Sequence, residues 1–184
     1  MRIPKLPSLG IRLPRLAQGQ MIRLLGAALS AAFWILALMT VAATLLFIFM
    51  AFAPLGPLGL TAGETSLPVP RAYFLFAIGA VTAYLGGFTL ILRHLRLIIQ
   101  TLRMGDPFQP ANVNRLKQIG ITLAVVTGGA WIGQTLVSRL VRGELEAPSV
   151  VDLITPAFSI LVVFVLTAVF REGARLRRES ELTI

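Results

Sequence analysis

Four long stretches of the chain contain no charged residue, and this feature restricts the fold more than any other. They are residues 24–53, 72–92, 118–138 and 153–170, and the last reaches spanning length when residues 150–152 are included. A helix needs about 20 apolar residues to cross the hydrocarbon core of a bilayer. Because unpaired backbone groups are costly in lipid, each stretch should be helical. The sequence predicts an all-α, integral membrane four-helix bundle with spans at about 24–53, 72–92, 118–138 and 150–170.

Basic residues collect at one end of this predicted bundle. The chain has 17 Lys plus Arg against 8 Asp plus Glu, a formal net charge of +9. The N-terminal tail, the 93–117 connection and the C-terminal tail hold most of them, whereas the other end holds only Arg71, Arg139 and Arg142. Since cytoplasmic loops collect Lys and Arg, both termini and the 93–117 connection are predicted to be cytoplasmic. The basic excess is then a matter of topology, and direct nucleic-acid binding is not expected.

Residues 1–23 are predicted to be a basic tail that precedes a single membrane domain over residues 24–184. Prolines at positions 4, 7 and 14 disfavour a long helix there. The tail sets the orientation of the protein in the membrane. It is also able to attach to anionic lipid headgroups, which is the second interpretation. The following apolar window is about twice as long as the 7–15 residues of a signal-peptide core, which predicts a retained anchor.

The connection between the second and third spans is predicted to be a helix, a hinge and a second helix. Arg93, Arg96, Gln100 and Arg103 recur on one helical face, which indicates an amphipathic extension of the second helix. Gly105 can supply a left-handed cap that ends it, and Pro110 suits the first turn of the next helix. Phe108 lies at the corner. A docking surface and a simple packed turn are both consistent with this pattern.

The fourth helix is predicted to continue beyond the membrane and to end near the hinge. Ser149 and Asp152 fit a capping pattern at its start, and Pro156 either kinks the helix or begins it. Arg175 and Glu179 form an i,i+4 pair in the extension. The two connections at the other end, a Pro/Gly-rich turn region after residue 53 and a shorter loop after the third span, are too short for a ligand-binding domain.

The sequence lacks catalytic, metal-binding and cofactor-binding motifs. The absence of Cys excludes thiolate catalysis and thiolate metal sites. His94 is the only histidine, so a serine nucleophile would lack its usual base. No phosphate-binding loop, HExxH or dinucleotide motif occurs. We therefore expect no enzymatic activity, no catalytic or metal-binding residue and no cofactor.

Small residues recur at four-residue spacing on the second and third spans. The predicted helix-packing residues are Gly79, Ala83 and Gly87 on the second span and Gly129 and Gly133 on the third. Such stripes let helix backbones approach closely in lipid. Packing of the second span on the third is the favoured interpretation, and a homodimer is the alternative.

Two segments resemble the bacterial four-helix membrane family called domain of unknown function 2975. "MGDPFQPANVNRLKQIG" (104–120) is similar to its Gly-x-Pro-Phe, Asn, Arg-Leu and Ile-Gly pattern, and "AVFREGARLRRESELTI" (168–184) is similar to its C-terminal pattern. The chain departs from the family at Gln109, where a Thr or Ser cap is usual, and at Ala111, where an acid is frequent. A weaker helix start follows from the first departure.

This resemblance implies a bacterial inner-membrane protein without established enzymatic activity. Family members are often encoded beside a small helix-turn-helix regulator of the Cro type, which implies a regulatory or scaffold protein that tethers or controls such a regulator. The residues predicted to bind this cytoplasmic partner are Arg93, Arg96, Arg103, Gly105, Pro107, Phe108, Asn112, Arg115 and Glu179. The alternative is a small transporter or channel subunit with a polar path around Gln134, Thr127 and Thr82.

Overall fold

Four long helices make up most of the chain. A computed structural model describes residues 15–53, 59–62, 65–68, 71–142 and 149–181. The helices are α1 (Arg15–Phe52), α2 (Arg71–Arg103), α3 (Pro110–Arg142) and α4 (Val150–Glu181). Each contains a segment long and apolar enough to cross a membrane, over Gln20–Phe52, Arg71–Arg103, Pro110–Leu136 and Val151–Ser180. The prediction of an all-α, four-helix membrane protein is confirmed.

Two short strands lie between α1 and α2, where the sequence predicted only turns. Strand β1 (Gly59–Ala62) pairs antiparallel with β2 (Thr65–Pro68), so that Leu60 lies opposite Leu67. The high density of Pro and Gly concealed the pairing. Pro68 is compatible with it because a two-stranded sheet has only edge strands, in which a missing N–H can face away from the partner.

Helix α1 begins at Arg15, earlier than predicted. The sequence placed the boundary between tail and span at residue 23, where the last charge before the apolar window occurs. No proline lies between Pro14 and Pro54, so nothing in the backbone prevents the helix from extending to Arg15. The last part of the predicted tail, from Arg15 onwards, is therefore helical.

The starts of α1 and α3 and the ends of α2 and α4 meet at one end of the molecule. Arg103 at the end of α2 donates hydrogen bonds of 3.3 Å to the carbonyls of Ile22 and Arg23 in α1. Arg177 near the end of α4 forms an ion pair with Asp106, which follows α2. We call residues 15–23, 93–117 and 171–181 the basic end.

The helices pack in a row that follows their order in the chain. Cα atoms approach within 8 Å between α1 and α2, between α2 and α3, and between α3 and α4. No other pair of helices comes this close among the described residues. Helices α1 and α4 flank the row and expose large apolar side chains, such as Trp34 and Phe158, that suit contact with hydrocarbon.

At each interface of the row, a glycine faces a larger side chain. A Cβ added at Gly79 of α2 would lie 3.3 Å from the ring of Phe47 in α1, and one at Gly120 of α3 would lie 3.3 Å from Phe164 in α4. Gly87 of α2 is buried directly against Val126 of α3. Missing side chains at these points allow the close backbone approach that stabilises helix pairs in lipid.

At the end opposite the basic end, one arginine caps α1. The guanidinium of Arg71 donates hydrogen bonds of 2.6, 3.0 and 2.7 Å to the carbonyls of Met50, Ala51 and Ala53. The last carbonyls of a helix lack partners within the helix, and a cation there also interacts favourably with the helix dipole. The first residue of α2 thus completes the end of α1.

The start of α4 has an N-cap, and its proline lies within the helix. The Ser149 hydroxyl accepts a 3.3 Å hydrogen bond from the amide of Val151, as an N-cap does. Pro156 lies inside α4 rather than at its start. Of the two alternatives that the sequence left open for this proline, the structure shows a position within the helix.

Replacing Gly87 with alanine should separate α2 from α3. The added methyl would overlap Val126, and overpacking of this kind costs about 1–3 kcal/mol. Gly129→Ala is the matched control, because a Cβ there meets nothing within 4 Å and the helix gains up to about 1 kcal/mol from the change. Unfolding by denaturing detergent, followed by circular dichroism in mixed micelles, measures both. Equal stability of the two variants would show that this contact does not join the helices.

Candidate functional site

The end of α2 is closed by a glycine in the left-handed conformation. Gly105 has φ of 80°. Its amide donates to the carbonyl of Leu102 at 3.1 Å, and the amide of Asp106 donates to that of Thr101 at 3.1 Å. This pair of hydrogen bonds defines a Schellman motif, which satisfies the last carbonyls of the helix and reverses the chain. The prediction that Gly105 caps α2 is confirmed.

Helix α3 begins at Pro110, as predicted, and its first turn carries a fully buried asparagine. The Asn112 side chain has no exposed surface. Its Nδ2 donates to the Thr101 hydroxyl at 2.6 Å and to the carbonyl of Pro107 at 2.9 Å, while its Oδ1 accepts from Arg115 Nη1 at 2.8 Å. Both amide hydrogens and the amide oxygen therefore have partners.

The partners of Asn112 extend these contacts to the backbone of α2. The buried Thr101 hydroxyl donates to the carbonyl of Ile98 at 2.7 Å, and Arg115 Nη1 also contacts the carbonyl of Leu97 at 3.2 Å. We call Thr101, Pro107, Asn112 and Arg115 the hinge network. A buried polar group costs free energy unless it is hydrogen-bonded, so the satisfied network favours one arrangement of the hinge.

The extension of α4 is held against the hinge by an aromatic contact. The ring of Phe108 packs on that of Phe170 with centroids 5.4 Å apart and an interplanar angle of 48°. The same ring covers Gly173, where an added Cβ would lie 2.7 Å from a ring carbon. Real Cβ atoms do not approach this closely, so a glycine at this position lets the ring sit on the helix backbone.

A polar contact lies beside this aromatic one. Arg177 donates to one carboxylate oxygen of Asp106, and the other oxygen accepts a 3.0 Å hydrogen bond from the side-chain amide of Gln109. Gln109 therefore binds the hinge with its side chain, although it lacks the Thr or Ser cap of the resembled family. We call the contacts of Asp106 and Phe108 with α4 the clasp.

Several residues predicted to bind a partner are engaged within the chain. The guanidinium of Arg96 lies 4.6 Å from the centroid of the Phe33 ring in α1, and Arg103 contacts carbonyls of α1. Pro107, Asn112 and Arg115 belong to the hinge network, and Phe108 belongs to the clasp. Arg93 and Gly105 are exposed. Glu179, also exposed, lies 3.4 Å from Arg175.

The predicted helix-packing residues divide into two groups. Gly79 faces Phe47 and Gly87 faces Val126, whereas a Cβ at Gly129 or Gly133 would meet nothing within 4 Å. Gly129, Gly133 and Ala83 line a groove of about 1390 Å³ between α2 and α3. Most of its lining is apolar, and Tyr84 and Gln134 are among its polar members. The stripe on α3 thus forms a groove instead of a contact with α2.

The sequence did not reveal the contacts of three residues at the hinge. They are Thr101, Asp106 and Arg177. Thr101 lies away from the helical face that carries Arg93, Arg96 and Arg103, and a polar residue at such a position signals a buried hydrogen bond. Asp106 and Arg177 are far apart in the chain, and no local pattern relates them.

Among the described residues, no group of three or more His, Cys, Asp or Glu could hold a metal ion. His94 Nδ1 is buried and has no hydrogen-bond partner within the described part of the chain.

Four apolar helices joined through a packed hinge define a multi-pass membrane protein. The model of the family described as "Protein of unknown function (DUF2975)" matches residues 59–184. This match covers more than half of the chain, so the chain belongs to that family. It includes the hinge network and the clasp and begins after α1. No curated protein and no solved structure matches the chain.

Removing the Asn112 side chain should destabilise the hinge. Asn112→Ala removes three hydrogen bonds, to the Thr101 hydroxyl, to the carbonyl of Pro107 and from Arg115, and each contributes about 0.5–1.5 kcal/mol. Asn114→Ala is the control, since Asn114 is exposed two residues away on the same helix. The free energy of unfolding should fall by several kcal/mol only for Asn112→Ala. A similar loss in both variants would contradict a role for the network.

Gly173→Ala should open the clasp, because the new methyl displaces the Phe108 ring at a cost of about 1–3 kcal/mol. Amide hydrogen exchange over residues 171–181 should accelerate, as local opening becomes easier. In a double-mutant cycle, Phe108→Leu should recover part of the loss, which shows coupling between the two sites. Additive effects would mean that the ring and Gly173 act independently.

Proposed function

We propose that this chain is a non-enzymatic regulatory or scaffold protein of a bacterial inner membrane, and that its hinge tethers or controls a small helix-turn-helix transcription regulator. The observation that carries the proposal is the fully buried Asn112 at a connection between two membrane helices. An ordinary connecting loop does not need a satisfied buried network. A hinge fixed in this way holds a constant surface outside the apolar windows, as recognition by a partner requires.

Charge distribution supports a cytoplasmic location of this surface. The hinge, the start of α1 and the extension of α4 carry most of the Lys and Arg of the chain. By the positive-inside rule, this distribution supports a cytoplasmic basic end and cytoplasmic termini. A transcription regulator is accessible only from that side.

Exposed apolar side chains at the hinge support a protein partner. Met104 is 72% exposed and Leu102 is 38% exposed, and both lie beyond the charge-free window of the second span. Full burial of a methionine side chain contributes about 1.5–3 kcal/mol relative to leaving it exposed, so the cover of Met104 by a partner favours binding. In this proposal, Met104 contacts the regulator directly, while Phe108, Asn112 and Arg115 hold the hinge that presents it.

The proposed type of partner, a helix-turn-helix regulator, is based on the family to which the chain belongs. Members of this family are often encoded beside a small helix-turn-helix regulator. A membrane protein and a DNA-binding protein that act together need a contact at the membrane surface, and the hinge offers one.

Exchange of one methionine tests the proposal. The protein is purified gently from its host's membranes through a C-terminal tag, and bound proteins are identified by mass spectrometry. Wild type should retain a helix-turn-helix protein, and Met104→Asp should lower its recovery by about tenfold or more, because a charge replaces a buried apolar contact. Met21→Asp is the matched control, since Met21 is 66% exposed at the same end but lies on α1.

The possible results separate clearly. Loss with Met104→Asp alone supports docking at the hinge. Recovery of the regulator with all three proteins at the same level would refute docking at Met104. Absence of any helix-turn-helix protein from the wild-type preparation would refute the proposed partner. Circular dichroism of each variant confirms that the helices are intact.

A transporter or channel subunit is the alternative function, and it has one supporting observation. The groove between α2 and α3 contains Gln134, the residue at the centre of the polar path expected from the sequence. The lining of this groove is mainly apolar, however, which suits hydrocarbon better than a polar solute. The regulatory function therefore has the stronger support.

A further inference from the structure

A second groove, of about 580 Å³, lies at the basic end between the start of α3 and the extension of α4. Val113 and Asn114 of α3 line one side. Arg171, Glu172, Arg175 and Arg178 of α4 line the other. This groove is distinct from the hinge surface around Met104.

The three arginines share one face of α4, because they follow each other at spacings of four and three residues. Their charges are not equally compensated. Arg175 lies 2.7 Å from Glu172 and 3.4 Å from Glu179. Arg171 and Arg178 form no hydrogen bond or ion pair with any residue that the structure describes. Two guanidinium groups that have no partner among the described residues therefore stand about 10 Å apart along the helix, at a rise of about 1.5 Å per residue.

The position of the groove relative to the membrane limits what can reach it. Arg171 directly follows Phe170, the last residue of the fourth charge-free window. The polar headgroup layer is about 5–8 Å thick on each side of the hydrocarbon core. Arg171 thus lies where the core meets the headgroups, and Arg178 lies at or just beyond the outer edge of the headgroup layer.

An apolar surface continues from the groove into the membrane. Phe164 lies two helical turns before Arg171 on the same face of α4, is 41% exposed and contacts the Gly120 position of α3. A molecule with an anionic head and an apolar tail would match a basic groove that is followed by an apolar surface. Its head would lie beside the arginines and its tail along Phe164.

We propose that this groove binds the phosphate group of an anionic phospholipid from the membrane leaflet at the basic end. The guanidinium groups of Arg171 and Arg178 donate to the phosphate oxygens, in the forked geometry that arginine offers to phosphate. Glu172 does not repel the lipid strongly, because Arg175 neutralises it. The site does not depend on the proposed regulator, and its occupancy would fix α4 at a defined depth in the membrane.

Lipid retention measured by native mass spectrometry tests the site. The full-length protein is purified in detergent and titrated with phosphatidylglycerol or with phosphatidylcholine of the same acyl chains. Wild type should retain phosphatidylglycerol in preference. The double variant Arg171→Gln/Arg178→Gln should lower the affinity for phosphatidylglycerol by about tenfold, because it removes both charged donors. Retention of phosphatidylcholine should not change, which also shows that the variant is folded.

A matched control removes the same charge elsewhere. Arg93→Gln/Lys117→Gln neutralises two exposed basic residues at the same end, outside the groove, and should change the affinity by less than about twofold, because salt screens exposed charges. A third variant, Arg171→Lys/Arg178→Lys, keeps the charge but not the fork and should bind with intermediate affinity.

Three results would overturn the proposal. An equal loss in the groove variant and the control would mean a general attraction between charges. No loss in the groove variant would mean that the lipid binds elsewhere. Binding of glycerol phosphate in solution as tightly as the lipid, with the same dependence on Arg171 and Arg178, would mean that a soluble phosphate compound is the ligand.

Discussion

The buried amide of Asn112 is the interaction on which the basic end depends. It joins the last turn of α2, the carbonyl of Pro107 and the guanidinium of Arg115 at one point. A buried amide has few arrangements that satisfy all its hydrogen-bonding groups, and this restriction sets the angle at which α3 leaves the hinge. Phe108 lies between Pro107 and Asn112 in the chain, and in this arrangement its ring covers Gly173 of α4.

The fold could be predicted from the sequence because a membrane-spanning helix is recognised by the length of its apolar segment and by the absence of charge in it. Charge-free windows gave the four helices, and Gly105 gave the end of α2, since both are local properties of the chain. The start of α1 was predicted less accurately than the starts of α3 and α4. Charge marked the boundary of the first span, but the helix itself extends to Arg15 because only proline would have stopped it.

The position of the hinge was predicted from the sequence, but its internal contacts were not. Phe108, Asn112 and Arg115 were predicted to bind a partner, and that role stays a prediction, whereas the structure shows all three in contacts within the chain. Their orientation could not be deduced, because the face that a hinge residue presents depends on how α2 and α3 rotate about their axes. The same limit applies to Arg96, whose spacing marks a basic face but not the ring of Phe33 that it contacts. Small-residue spacing has a similar limit: Gly87 faces Val126, whereas Gly129 lies in a groove.

Packing in a row has a consequence for assembly in the membrane. Among the described residues, the Cα atoms of each helix come within 8 Å only of the helices next to it in the chain. As the protein is synthesised, every newly inserted helix therefore finds its partner already in place and need not wait for a later segment. Contacts between chain neighbours also close with little loss of chain entropy, which favours rapid folding. The clasp needs the end of α4, so it is the last of these contacts to form, after the helices have packed on one another.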